Sequence, residues 1–274
     1  MRQIAITGGK GGTGKSTVAV LLALKLAREG KKVVLCDADV ECPDDHLILG
    51  AELGDGKPIY QEYPKIDEKK CTRCGKCMEQ CRFNALFQVK DNAPELIKNL
   101  CTGCGLCWGL CPVGAITVKE EPCGETYTAK ARENLWLVTG LSLAGVEETG
   151  PIVRDAKVRA QELAREIKSD YLLVDTSPGT HCNVINALLD SDIAYVVTEP
   201  TPLGVHDSRL LLELLKVLEV PAELVLNKAG VASEKETEKM AKETGVKIKY
   251  KIPYSEELVK AYSQGKLDEI DLLE

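Results

Sequence analysis

The sequence predicts an α/β fold, a doubly wound and mostly parallel sheet, interrupted by a small inserted α+β domain. Three observations carry this. Short, continuously apolar runs alternate with amphipathic stretches of helical length, the pattern of parallel strands covered on both faces. A glycine loop joins the first such run to the first helix. Of 12 cysteines, 8 fall between residues 71 and 111, in a stretch that breaks the alternation.

Residues 2–7 (RQIAIT) are β-prone and end at Gly8-Gly9, and the apolar pattern VAVLLALKLAREG after Ser16 predicts a helix. KKVVLC (31–36) predicts a second buried strand, closed by Asp37, Ala38 and Asp39. From residue 60 to 122 no helix or strand of α/β length is expected, only Cys, Gly and Pro punctuation. The alternation resumes with a strand at 135–139, a helix at 152–168 entered through Gly150-Pro151, and the buried strand YLLVD at 171–175. Strands at 192–200, 222–230 and 246–253 then alternate with helices at 205–218, 234–243 and 255–264. The expected organisation is a discontinuous domain, 1–59 and 123–274, carrying 60–122 as an insertion; without the insertion the chain has a normal length for one α/β domain.

A formal net charge of −7 leaves no basic surplus with which to hold duplex nucleic acid. A hydrophobic content of 44% with 28% charged residues describes a globular protein. The N-terminus, MRQIAITGGK, lacks the basic region, apolar run and cleavage site of a secretory signal. The apolar run at 18–24 is too short to span a bilayer, and the acidic GKLDEIDLLE (265–274) lacks the basic amphipathic helix of a membrane-surface anchor. No nucleic-acid or membrane partner is therefore expected, and a cytoplasmic setting is, where a Cys cluster binds metal in preference to forming disulfides.

Gly9-Lys10-Gly11-Gly12-Thr13-Gly14-Lys15-Ser16 satisfies the P-loop pattern GxxxxGK[ST] and lies between a predicted strand and a predicted helix. Its backbone N–H groups would curl around a triphosphate, with the dipole of the following helix behind them. Lys15 would reach the β- and γ-phosphates, the Ser16 hydroxyl would take a Mg2+ position and Thr17 completes the nucleotide site.

With Lys10 early in the loop, KGGTGKST resembles the deviant Walker A motif of the MinD/Mrp family, which includes the nitrogenase iron protein. The resemblance implies ATP with Mg2+ as ligand. It also implies that Lys10 reaches across a nucleotide-sandwich dimer, a homodimer or a heterodimer with a similar ATPase. LCDAD (35–39) resembles switch I, with Asp39 orienting the attacking water or the Mg2+ shell; Asp37 reads equally as a turn cap. VDTSPGTHC (174–182) resembles Walker B plus switch II, which makes Asp175 a Mg2+ residue and puts Gly179 near the γ-phosphate. The implied catalytic set is Lys10, Lys15, Asp39 and Asp175. Asn227-Lys228 resembles the adenine-recognition asparagine and its neighbour, and Ile252-Pro253 the loop that covers the base. Asp44-Asp45-His46 departs from the family, whose members tend to carry Asn in the first position.

CTRCGKCMEQC (71–81) recurs thirty residues later as CTGCGLCWGLC (101–111), with Ala85 and Ala115 at matching positions. CxxCxxCxxxC twice, the second followed by Pro112, is the bacterial two-cluster ferredoxin pattern, in which the fourth Cys of each run ligates the other cluster. The implied sets are Cys71, Cys74, Cys77 and Cys111 for one 4Fe-4S cluster, and Cys101, Cys104, Cys107 and Cys81 for the other. Zinc would favour two CxxC pairs per site. Arg82 stands where Pro is usual. Cys36 reads as a core residue, and Cys42 and Cys123 have no assigned role. Cys182 follows Asp175 at the spacing of the cluster-binding Cys of the nitrogenase iron protein, but the companion Cys has no counterpart in 139–150. His181 and His206 read as loop and helix-start polar groups.

The insertion carries 9 Lys/Arg against 8 Asp/Glu, so the rest of the chain holds the acidity; two filled clusters would take the whole to about −11. The leading expectation is an ATPase, slow without a partner, whose nucleotide state is coupled to electron transfer with a redox protein. An ATP-gated carrier for iron–sulfur or metal-cofactor assembly is the alternative, and a MinD-like positioning ATPase a third class.

Overall fold

Strand β1 (Arg2–Thr7) is buried from Gln3 onward and feeds through the glycine loop into helix α1 (Lys15–Arg28). Strand β2 (Val33–Ala38) is buried throughout; it starts later than the expected 31–36 and runs through Asp37. A single turn, α2 (Asp45–Ile48), leads to β3 (Lys57–Ile66). The cysteine-rich lobe follows, with α3 (Lys76–Glu79), β4 (Leu86–Phe87), β5 (Glu95–Leu96) and α4 (Leu106–Gly109), and the chain returns along β6 (Ile116–Arg132). After β7 (Leu135–Ser142) come α5 (Gly150–Glu166), β8 (Tyr171–Thr176), α6 (Cys182–Leu188), β9 (Ile193–Thr198) and α7 (Pro202–Val217). The last elements are β10 (Ala222–Ala229), α8 (Lys235–Thr244), β11 (Ile248–Pro253) and α9 (Glu256–Ser263). This computed structural model describes residues 1–270; the last four residues of the acidic GKLDEIDLLE segment lie outside them. No helix of the described residues is long and apolar enough to cross a membrane.

The sheet runs β11-β10-β9-β1-β8-β2-β7-β6-β3. Pairing is parallel from β11 through β7 and antiparallel from β7 to β6 and from β6 to β3. Apolar residues alternate across it: Ile4, Ile6, Val33 and Leu35 face α1, while Val34 and Cys36 face α5. Cys36 is thus a core residue, and burial pushes its thiol far above the usual range.

The expectation of no long strand between 60 and 122 is corrected by β3 and β6, 10 and 17 residues long, which cross the boundaries expected at 59/60 and 122/123. Their sequence hides them for a physical reason. They are antiparallel and half exposed, so they lack the continuous apolar run of the central strands, and Pro58, Pro64 and Pro122 interrupt them. Because β6 also pairs with β7, the cysteine lobe is rooted on the main sheet. Cys123 sits where the β3–β6 register shifts between Ile59 and Tyr60; it is buried, with its Sγ 3.5 Å from the Ile59 carbonyl oxygen. That bulge accounts for Cys123 structurally.

Within the lobe the repeat is written in the backbone. Left-handed residues occur at Arg73, Gly75 and Asn84 (φ 57°, 75° and 51°), and again at Gly103, Gly105 and Gly114 (φ 69°, 84° and 59°). Helices α3 and α4 occupy matching places between them.

Candidate functional site

The C-terminal ends of β1, β2 and β8 meet at the point where the strand order reverses, the usual ligand crevice of an open α/β sheet. Asp175 is in register with both Ile6 and Asp37. The glycine loop rises from this floor, with Lys15 buried at the start of α1. Gly14 has φ +88°, and a Cβ there would lie 2.2 Å from Asn227 Nδ2. At Gly9 a Cβ would meet the Asp207 backbone of α7 at 2.5 Å. At Gly9 a side chain would push against backbone, and at Gly14 it would be strained by the left-handed φ and would displace the Asn227 amide from Thr13. Gly14→Ala is therefore expected to weaken nucleotide binding at least tenfold, about 1.4 kcal/mol, with far-UV circular dichroism unchanged. Fluorescent-nucleotide titration reads this, and an affinity within twofold of the parent would contradict the geometry.

Switch II is tied to the loop by the Gly179 N–H, which donates to the Gly8 carbonyl at 3.0 Å. Below it lies an acidic pocket. Asp37, which reads from sequence equally as a switch I residue and as a turn cap, accepts from the N–H groups of Asp39 (3.2 Å) and Asp45 (3.1 Å) and so braces the switch I turn from beneath. Carboxylate oxygens of Asp37, Asp44 and Asp45 lie within 4.8 Å of one another. Asp45 and Asp175 are fully buried, and neither carboxylate has a partner in hydrogen-bond geometry. Burial first, and mutual repulsion second, push Asp37 and Asp45 well above the carboxylate range. Asp175 is pushed up to about 7 by burial, against Ser16 and Lys15, which favour its ionised form. Asp39 is raised by burial and lowered by Lys15. Buried carboxylates this close cannot all ionise unless a cation joins them. The partnerless oxygens beside Ser16 and Lys15 are a donor set that fits Mg2+, a hard ion that takes oxygen ligands.

An open cavity of about 710 Å³ lies against Gly12, Gly14 and Thr17, walled by Asn227, Lys228 and Pro253. Tyr254, Leu258 and Tyr262 complete it, and these the sequence did not single out; the available signal was the scarcity of aromatics, 4% of the chain. The Asn227 amide donates to the Thr13 carbonyl at 2.8 Å, bracing the loop. Tyr262 carries its hydroxyl to Asp44 at 3.4 Å, linking this cavity to switch I.

Lys10 lies on its own chain. Its Nζ is 2.5 Å from Glu199 Oε1, and Lys228 Nζ is 3.1 Å from Glu199 Oε2 and 2.8 Å from the Gly12 carbonyl. Thr201 Oγ1 donates to the same carboxylate at 3.1 Å. Burial alone would raise Glu199, but these partners hold it below the usual range. A depressed carboxylate loses its partners only as pH falls through its folded pKa, so the contact persists through neutral pH.

In the lobe, Cys71, Cys74, Cys77 and Cys111 line one small cavity, and Cys81, Cys101, Cys104 and Cys107 line a second. The Ala115 N–H donates to Cys111 Sγ at 3.2 Å and the Ala85 N–H to Cys81 Sγ at 3.3 Å, so the two remote cysteines are held alike. Burial raises Cys77 and Cys101, and takes Cys107 up to about 11, while a backbone N–H lowers Cys74. Two cages of four thiols, with N–H groups aimed at sulfur, fit thiolate-ligated clusters. Cys182 is exposed at the start of α6 and Cys42 is exposed in the switch I turn, outside both cages.

Residues 4–268 match the CobQ/CobB/MinD/ParA nucleotide binding domain. An uncharacterised protein of Methanocaldococcus jannaschii, MJ0579, is 35% identical over 97% of this chain and 90% of its own length. A protein of Pyrococcus horikoshii named iron-sulfur cluster carrier protein is 26% identical over 92% of this chain and 73% of its own. Among solved structures, the septum site-determining protein MinD of Pyrococcus horikoshii, complexed with Mg-ADP, superposes with a TM-score of 0.59 at 18% identity, covering 96% of this chain and 86% of that one. The glycine loop, the acidic floor and the sheet order agree with this match, and the chain belongs to the CobQ/CobB/MinD/ParA family of nucleotide-binding domains.

Proposed function

We propose that the protein is an ATP-hydrolysing iron–sulfur protein in which nucleotide-dependent pairing of two chains is coupled to electron transfer. The observation that supports this most strongly is the crosswise convergence of eight cysteines on two cavities, in a lobe that leaves the sheet at the end of β3, the strand that follows switch I and α2. When bound, two 4Fe-4S clusters supply one-electron carriers. The chain's own residues do the rest. Lys15 and the loop amides hold the phosphates, Ser16 and Asp175 take Mg2+, and Asp39 orients the attacking water. Asn227 and Pro253 frame the adenine and Gly179 follows the γ-phosphate. Lys10 leaves Glu199 to reach the nucleotide of a second copy, or of a similar ATPase. Asp44, Asp45 and α2 join this switch to β3, so closing the site bears on the lobe.

Anaerobic purification should return about eight Fe per chain. Mg-ATP should shift the reduction potentials measured by EPR-monitored titration. Unchanged potentials, together with an unchanged rate of electron transfer to a redox partner, would overturn the coupling.

The relative named iron-sulfur cluster carrier protein favours a second reading, an ATP-gated carrier for cluster or metal-cofactor assembly. Cluster transfer to an apo-acceptor on ATP addition would support it; iron retained through repeated redox cycles would oppose it.

A further inference from the structure

The two halves of the cysteine lobe share a backbone and differ in surface chemistry. Positions 69–82 carry five exposed cations, Lys69, Lys70, Arg73, Lys76 and Arg82, and one acid, Glu79; positions 99–112 carry no charged residue. Where one half has Lys70, Arg73, Lys76 and Arg82, the other has Leu100, Gly103, Leu106 and Pro112. Arg73 and Lys76 wall the cavity of Cys71, Cys74, Cys77 and Cys111, whereas Leu100, Leu106 and Trp108 wall the other. Arg73, Lys76 and Arg82 enter no ion pair among the described residues, and Lys70 has only a loose one with Asp67 at 4.0 Å.

Folding does not require these cations, since the second half makes the same turns without them. In a chain of net charge −7 they are a local reversal of sign, and such a reversal steers and orients an oppositely charged partner. We propose that Lys69, Lys70, Arg73 and Lys76, which flank Cys71, Cys74 and Cys77, form a basic collar, a docking surface for a small acidic electron-carrier protein seated over the cavity of Cys71, Cys74, Cys77 and Cys111. The proposal rests on the electron-transfer reading above. Asp67, Glu68 and Glu79 temper the collar, which makes the contact weak and salt-sensitive, as suits a transient encounter.

The test uses the anaerobic holoprotein and a flavodoxin with a strongly acidic surface, with affinity read by calorimetry at low and high salt. The triple variant Lys69→Glu, Lys70→Glu, Lys76→Glu should weaken binding at least tenfold, the corresponding Gln variant severalfold, and raised salt should weaken the parent more than either. Val217→Glu, on the exposed face of α7 in the main domain, should bind as the parent does. Full iron content in the reversed variant with unchanged affinity overturns the collar. So does tighter, equally charge-dependent binding of a nucleic-acid oligomer. A parent lacking iron removes the electron-transfer reading, while salt-sensitive flavodoxin binding still reports on the collar itself.

Discussion

Cys111→Ala is expected to abolish the cluster whose other ligands lie thirty to forty residues upstream, leaving the one on Cys101, Cys104, Cys107 and Cys81. The structure motivates this crossing: Cys111 shares its cavity with Cys71, Cys74 and Cys77, although its nearest cysteine in sequence is Cys107. Iron should fall from about eight to about four per chain. The double variants then decide the connectivity, because ligands of one cluster are not additive and ligands of different clusters are. Adding Cys74→Ala to Cys111→Ala should remove no further iron, whereas adding Cys104→Ala should remove nearly all of it. The opposite pattern would mean that each run of four serves its own cluster. Cys123→Ala, at the bulge, should leave iron unchanged.

The second large effect concerns Lys10. Lys10→Ala is expected to lose ATP-dependent pairing of chains and to lower ATP turnover on the order of a hundredfold, the usual cost of removing a donor to a transferring phosphoryl group. Glu199→Gln should act in the opposite direction on pairing. Within one chain Glu199 holds Lys10 and Lys228 together, and an oligomer that needs Lys10 must first break that contact. The Lys10 side chain is 30% exposed and that of Glu199 11%, so solvent screens the pair only in part. Neutralising Glu199 should therefore let pairing occur at severalfold lower ATP concentration. Size-exclusion chromatography with light scattering across an ATP series measures both variants. A Glu199→Gln protein that pairs no more readily than the parent would mean that the contact is no restraint.

Several of these residues were legible in the sequence because local spacing alone defines them. GxxxxGK[ST] between a strand and a helix is a continuous string, and the cysteine repeat keeps one period over thirty residues. The central strands declared themselves by unbroken apolar runs. Others could not be read this way. Glu199 looks like an ordinary strand-end acid until β9 brings it under the glycine loop, and Tyr254 and Tyr262 look like surface aromatics until α9 folds over Thr17. Asp37 reads equally as a switch I residue and as a turn cap until β2 carries it beside Asp175 at the C-terminal ends of the central strands, where its carboxylate braces the turn that follows.

The sequence by itself determined the fold class, the phosphate loop and the inventory of thiols, because each depends on residue type and on spacing along the chain. Only the tertiary structure decided that the cysteine lobe grows out of the main sheet through β3 and β6, and that Lys10 rests on Glu199. It also decided that Arg73 and Lys76 stand at the wall of one thiol cage, whereas the wall of the other carries no charge. Half-exposed antiparallel strands have no distinctive apolar period, and contacts between residues nearly two hundred positions apart are set by strand order, which no local pattern encodes.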